Sequence, residues 1–293
     1  MSSTTAVRTH PALPARRSAR SWTWRSVLSQ VLLTLVTLLF TSPLIWMLAT
    51  SLKPTAEVFG VPPTLIGSSL EWSNYAKVWT YVPFGTFIAV GFGVSLVGTV
   101  IVVATSLLSG YAFSRLRFRG RSAMFLVFLG TLMIPQEVLV VPMFILMSEL
   151  GWVNSYQALI LPWAFTAFGT FLLRQAFLTV PFELEEAAKL DGATHFQTLA
   201  RIMTPIIMPS IAVLTVFTFV SYWNSFLWPL IIVSDPAHST VPLGLNGFLG
   251  QSGGEWGPLM AASAISMVPT ALLAIWLQRY LVRGISLSGI GGR

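Results

Sequence analysis

Of the ten carboxylates in 293 residues, four (Glu183, Glu185, Glu186 and Asp191) fall within one short stretch. Acids so close together serve acid–base work beside a nucleophile, or charge-assisted binding beside a cationic partner. The first kind of chemistry lacks its other half. The three histidines (His10, His195, His238) and two aspartates (Asp191, Asp235) lie outside every long apolar run, and there is no cysteine. No Ser/His pair, di-histidine haem site or zinc site forms within such runs. The lysines follow Leu52, Ala76 and Ala188, so no Gly-Lys-Ser/Thr phosphate loop exists and the chain does not hydrolyse ATP alone. No catalytic residue and no metal site is expected. Two polar interruptions inside apolar runs remain. Gln136 and Glu137 follow Pro135, and Asn224 and Ser225, just after Tyr222, sit between Trp223 and Trp228, ahead of Pro229.

The elements that must position these residues follow from composition. Apolar residues make up 54% of the chain and charged residues 9%, whereas a soluble domain carries about 25% charge. Disordered chains are poor in apolar residues, and a cysteine-free chain is neither a disulfide scaffold nor an iron–sulfur protein. An all-α integral membrane protein remains. A helix needs about 20 apolar residues to cross a bilayer, and six runs meet this: Val27–Ala49, Phe87–Ser109, Ala123–Leu146, Ala158–Phe177, Ser210–Val233 and Pro258–Leu281. They are continuous rather than alternating, which excludes a β-barrel.

Distributing the 17 basic residues over the connections gives orientation. Only Lys53 and Lys77 fall on one side. The other side takes five arginines of the N-terminal tail, Arg115, Arg117, Arg119 and Arg121, then Arg174, Lys189, Arg201, Arg279, Arg283 and Arg293. This asymmetry places both termini in the cytoplasm. The first run reads as a span and not a cleaved signal, since it is 23 residues long, a tail of some 25 residues precedes it and no convincing small-x-small cleavage site follows. The expected organisation is a disordered cytoplasmic tail (1–26), a six-span domain (27–282) with a cytoplasmic loop (178–209) and an external loop (234–257), and a cytoplasmic C-terminal tail (283–293).

Glu137 has two readings. An acid within a span is expensive and faces protein or a wet cavity, so it lines a pathway, with the Pro135 and Pro142 breaks exposing backbone beside it. Alternatively it lies near the outer end, bonded to a neighbouring helix. Asn224 and Ser225 likewise line a passage, or belong to an interfacial aromatic belt. The glycine-rich external loop is a flexible arm for a binding partner or a plain connector, and the stretch Leu52–Thr86, with Trp72, Tyr75, Trp79 and Tyr81, is a second contact candidate.

The acidic stretch lies in the loop between the fourth and fifth runs. Pro181 suits a first helical position. Glu183, Glu185 and Glu186 crowd the positive end of a short helix, with Lys189 toward its negative end. Gly192 permits the left-handed turn that stops it, Thr194 and Gln197 have capping-box spacing for a second helix, and Pro205 closes that one. One face carries Leu184, Ala187, Ala188 and Asp191, where the small alanines allow close approach, with Glu186 beside it. Headgroup-binding helices favour basic faces. Four acids against Lys189 and Arg201 favour a protein partner.

Glu186-Ala187-Ala188, with Gly192 four residues on and then Ile202 and Pro205, resembles the EAA loop of bacterial ABC importer permeases. Thr204 stands where that pattern has an aliphatic residue. Trp223–Leu230, Ser234-Asp235-Pro236 and Thr240–Leu245 are similar to the carbohydrate-uptake, maltose-type branch. That branch more usually ends with a lysine between small residues, which the Gly-rich tail here lacks. The resemblance implies the MetI-like permease fold in the bacterial cytoplasmic (inner) membrane. It implies ATPase docking through Glu186, Ala187, Ala188 and Gly192, beside Asp191. It implies a second, different permease subunit, two ATPase subunits that bind ATP and Mg, and an extracytoplasmic solute-binding protein. This chain would bind no cofactor and no nucleic acid. The expected solute is a sugar, polyol or glycerol phosphate. An ion-gradient-driven transporter and a membrane-embedded enzyme or scaffold are the other classes considered. The first normally has internal repeats and titratable span residues, and the second an in-span nucleophile and base.

Overall fold

The structure is a computed structural model and describes residues 24–250 and 255–288. The expected N-terminal tail through residue 23, Gly253 and Gly254 of the external loop, and residues 289–293 of the C-terminal tail lie outside these. Among the described residues there are helices and turns and no strand.

The chain divides into two units, Met1–Trp46 and Met47–Arg293. The first carries most of α1 (Trp24–Ser51), whose apolar window has no buried residue. In the second unit α2 (Ser73–Tyr81) follows a compact turn region. There Asn74 donates to the carbonyls of Ser51 (3.0 Å) and Lys53 (3.1 Å), and Glu57 accepts from the Ser68 amide at 2.8 Å. The Ser68 bonds hold the exposed Glu57 carboxyl below its ordinary range.

The 32-residue α3 (Phe84–Arg115) is the centre of the second unit. Its buried face is small: Gly91, Ser95, Gly98, Thr99, Val102, Ser106 and Gly110 recur at helical spacing. In lipid, apolar burial gives no net drive between helices, so small residues that permit close packing and interhelical hydrogen bonds take over. Helices α7 and α10, described next, make its main contacts. Ser109 meets Thr170 Oγ1 at 2.7 Å and Thr105 donates to the Ala164 carbonyl at 3.1 Å, each such bond contributing about 0.6 kcal/mol.

Beyond α3 the helices are broken. α4 (Arg121–Gly130) runs through a 3₁₀ turn and meets α5 (Gln136–Glu149) at a 99° bend. α6 (Tyr156–Ile160), with a 3₁₀ turn at Leu161–Trp163, meets α7 (Ala167–Leu178) at 48°. α8 (Phe182–Leu190) and α9 (His195–Ile206) form the loop helices. α10 (Met208–Trp223) leaves α9 at 83°. Then come α11 (Leu227–Ile232), α12 (Val241–Gly250) and α13 (Trp256–Ser288). Among the described residues three helices are long and apolar enough to cross a membrane singly, or up to six spans result if each bent pair is one.

Two expectations are corrected. The fifth run, Ser210–Val233, is not one helix: α10 stops at Trp223 and α11 starts at Leu227. Pro229 has no N–H, and its ring clashes with the carbonyl four residues back, Ser225. A helix tolerates it only in its first turn, where it now sits. Part of the loop expected to be flexible is helical, because Val241 and Phe248 bury against α2, α3 and α13 residues such as Val78, Phe87 and Ala261.

The arginine-rich turn after α3 and the α8–α9 pair share one end of this unit. At another, Asn154 bonds Ser234 at 2.9 Å and the Tyr156 ring meets His238 at 4.8 Å.

Candidate functional site

The helix breaks converge. A groove of about 490 Å³ is lined by residues from the α4–α5 break (Gln136, Glu137), the α6–α7 break (Trp163, Thr166) and the α10–α11 break (Ser225, Trp228). Broken helices leave backbone groups without helical partners, which membrane proteins tolerate where protein or water satisfies them. Here side chains do much of this. Tyr222 donates to the Ile160 carbonyl and Trp228 Nε1 to the Ala158 carbonyl, both at 2.8 Å, while Thr166 Oγ1 caps α7 by accepting from the Gly169 amide at 2.8 Å.

Four of the five pathway candidates line this groove: Gln136, Glu137, Tyr222 and Ser225. Asn224 does not. It caps the C-terminal end of α10 and is exposed. Gln136 and Glu137 open α5 behind Pro135, where no side chain caps the free amides. A carboxylate in that first turn gains about 0.3–1 kcal/mol from the helix dipole. Tyr222 contributes its ring, since its hydroxyl is held by Ile160. Sequence reasoning passed over Trp163, Trp228, Thr218 and Ser221, which also line the groove. A signal existed for two of them: Thr218, Ser221, Tyr222 and Ser225 follow the i, i+3, i+4, i+7 pattern of one helical face.

The second candidate region is the α8–α9 pair. Pro181 is the N-cap of α8, one place before the expected position. Gly192 has φ +80°, the left-handed turn, and the capping box is formed: Gln197 N donates to Thr194 Oγ1 (3.3 Å) and Thr194 N to Gln197 Oε1 (2.8 Å). Pro205 does not end α9, which continues to Ile206. A π-helical stretch, Thr198–Met203, precedes it, and Thr204 Oγ1 donates to the Leu199 carbonyl at 2.8 Å. The wider turn accommodates a proline that an α-turn would not.

Glu186, Ala187, Asp191 and Gly192 are exposed. Ala188 is not: it is 5% exposed, faces inward and seats α8 on the chain itself. The face expected from Leu184, Ala187, Ala188 and Asp191 is thus turned, with Ala188 on the inner side. The other inward residue of α8 is Glu185, 3% exposed, which sequence reasoning counted only as charge. It lies 3.9 Å from Arg115 Nε and 3.3 Å from Lys189 Nζ, and accepts from the Tyr111 hydroxyl at 3.3 Å. Arg115, 7% exposed, donates to the carbonyls of Phe177 and Val180 and stacks over the Phe182 ring at 4.2 Å. Removing one member of a buried pair of this kind costs about 3–5 kcal/mol, because a lone charge is left. Leu190 and Phe196, 90% and 70% exposed, flank the turn between the helices. Among the described residues no group of His, Cys, Asp and Glu is arranged to hold a metal ion.

Comparison with known proteins agrees with this architecture. Residues 101–287 match the model of the family described as binding-protein-dependent transport system inner membrane component. The sn-glycerol-3-phosphate transport system permease protein UgpE of Pectobacterium atrosepticum is 37% identical over 78% of this chain and 84% of its own length. The arabinooligosaccharides transport system permease protein AraQ of Halalkalibacterium halodurans is 35% identical over 85% of this chain and 91% of its own. In fold, the chain is similar to one from the crystal structure of a bacterial ABC transporter that imports the acidic polysaccharide alginate. The TM-score is 0.72 at 23% identity, covering 87% of this chain and 96% of that one. The chain belongs to the family of binding-protein-dependent transport system inner membrane components, and is a permease subunit of an ABC importer in the inner membrane.

Proposed function

We propose that the groove is this subunit's wall of a transmembrane passage for a neutral polyhydroxylated solute, a mono- or oligosaccharide. The observation that supports this is the convergence of three helix breaks on one polar-and-aromatic groove whose only ionisable carboxylate is Glu137. Sugar hydroxyls donate to such a carboxylate and to Ser and Thr oxygens, while Trp163, packed on the buried Trp228, offers apolar surface to sugar C–H faces. A phosphate ester would meet a like charge there. Of the two relatives above, one is named for an arabino-oligosaccharide and one for glycerol 3-phosphate. Glu137 favours the first kind of solute for this chain.

A second, different permease subunit supplies the facing wall, and a solute-binding protein delivers from the outer side. Two ATPase subunits bind ATP and Mg and perform hydrolysis. They dock on the exposed face of α8 and the α8–α9 turn, on the cytoplasmic side with both termini. Glu186, Ala187, Asp191 and Gly192 form that face, with Leu190 and Phe196 as apolar anchors. Ala188 acts from beneath by holding α8 in place.

The test is a calorimetric screen of the cognate binding protein against maltodextrins, arabino-oligosaccharides, polyols and glycerol 3-phosphate. Binding heat from a neutral saccharide and none from the phosphate ester is expected, and the opposite pattern rejects the solute assignment. For docking, Glu186→Lys is expected to strip the ATPase from the purified complex.

A further inference from the structure

Nine residues make up α8, and only Glu185 and Ala188 of them are buried. The seating of this helix therefore depends on very few side chains, and Glu185 is the one with directional bonds. Its partner Arg115 ends α3. Arg115 also bonds the Phe177 and Val180 carbonyls at the end of α7 and stacks on Phe182 at the start of α8. Tyr111, one turn up α3, donates to Glu185 and lies 3.4 Å from His195 of α9. One arginine and one tyrosine of α3 thus hold the ends of α7, α8 and α9 together.

The pair is not fully closed. At 3.9 Å it is an ion-pair contact longer than a hydrogen bond, and Arg115 Nε and Nη1 and Glu185 Oε2 are buried without a hydrogen-bond partner. Charge-assisted N–H···O bonds form at about 2.7–2.9 Å. A shift of α8 by about 1 Å toward α3 would convert the contact into such a bond. Going up α3 from Arg115, Gly98 lies about 25 Å away at 1.5 Å per residue. A Cβ there would sit 2.6 Å from the Tyr222 ring, so the two helices touch without slack at that point. Tyr222 lines the groove.

We propose that Arg115 and Glu185 are positioning residues of an internal latch. Through it, displacement of α8 by the ATPase is passed to α3, and along α3 to Tyr222 at the groove. The proposal rests on the docking reading of α8 given above.

The test uses the assembled transporter with cysteine-free partner subunits. The chain has no cysteine of its own, so bimane on Phe226→Cys, at the groove rim, reports from one place. ATP is the probe. In the parent, ATP changes the bimane emission. In Glu185→Gln, and in the double variant Glu185→Leu/Arg115→Met that fills the space without a lone buried charge, the ATPase stays bound and the emission change falls roughly tenfold. Either variant that holds its ATPase and keeps the parental emission change overturns the latch. So does loss of the ATPase from Glu185→Gln, which would place Glu185 at the docking surface. Failure of the docking reading shows separately, as an ATPase that stays bound to Glu186→Lys.

Discussion

At the scale of single residues, the acids divide by what surrounds them. Glu186 is exposed and free to meet a partner, whereas its neighbour Glu185 is buried against Arg115. Charge alone could not separate them, because adjacent helical positions differ by about 100° in direction and the partners beneath Glu185, Arg115 and Tyr111, lie on α3, far away in sequence. Glu137 was legible for the opposite reason: a carboxylate inside an apolar run has few places to go. Its exchange makes a direct prediction. Glu137→Gln keeps the shape and most hydrogen bonding, so saccharide uptake should fall only several-fold, a loss of about 1 kcal/mol. Glu137→Lys, with an inverted charge, should abolish uptake while the complex still assembles. Transport assays on membrane vesicles, with complex yield measured alongside, decide both.

At the scale of elements, the turn between α8 and α9 was readable in detail. Gly192, Thr194 and Gln197 are local signals, and local backbone chemistry decides the outcome. Gly192→Val must adopt φ near +80° with a branched side chain, at about 1–2 kcal/mol or more. The expected result is a permease that inserts normally while α8 and α9 lose their fixed angle. Hydrogen exchange should quicken at the Asp191 and Ala193 amides, which now bond the carbonyls of Ala187 and Ala188, and uptake should drop. Less of the long elements was readable. Apolar runs mark where a chain can cross lipid, but they do not say where it bends. Proline positions carried that information: Pro135 announced its break, while Pro229 was left inside an unbroken Ser210–Val233 run that the structure divides.

For the molecule as a whole, composition alone identified a helical membrane protein, and the basic residues assigned its sides. The family match removes the ion-gradient transporter and the membrane enzyme as alternatives. The sidedness makes a clean prediction because there is no native cysteine. A single cysteine replacing Arg119 should react with an impermeant maleimide only after the membrane is opened, and one replacing Ser69 should react in intact cells. Labelling of the Arg119 site from outside would reverse the orientation. The groove as a meeting point of three breaks was not legible, since each break lies in a different run and only tertiary packing brings them together.

The groove also separates two kinds of inheritance. Its outline follows Pro135, Pro162 and Pro229, near the places where the backbone turns, while most of the hydroxyl lining that faces Glu137's groove comes from Thr218, Ser221 and Ser225 on one face of α10 and its end. Substitutions in the second group leave the first untouched. The proposed passage can therefore be retuned for another solute by a few point changes along a single helical stripe, with the scaffold and the α8–α9 pair left intact.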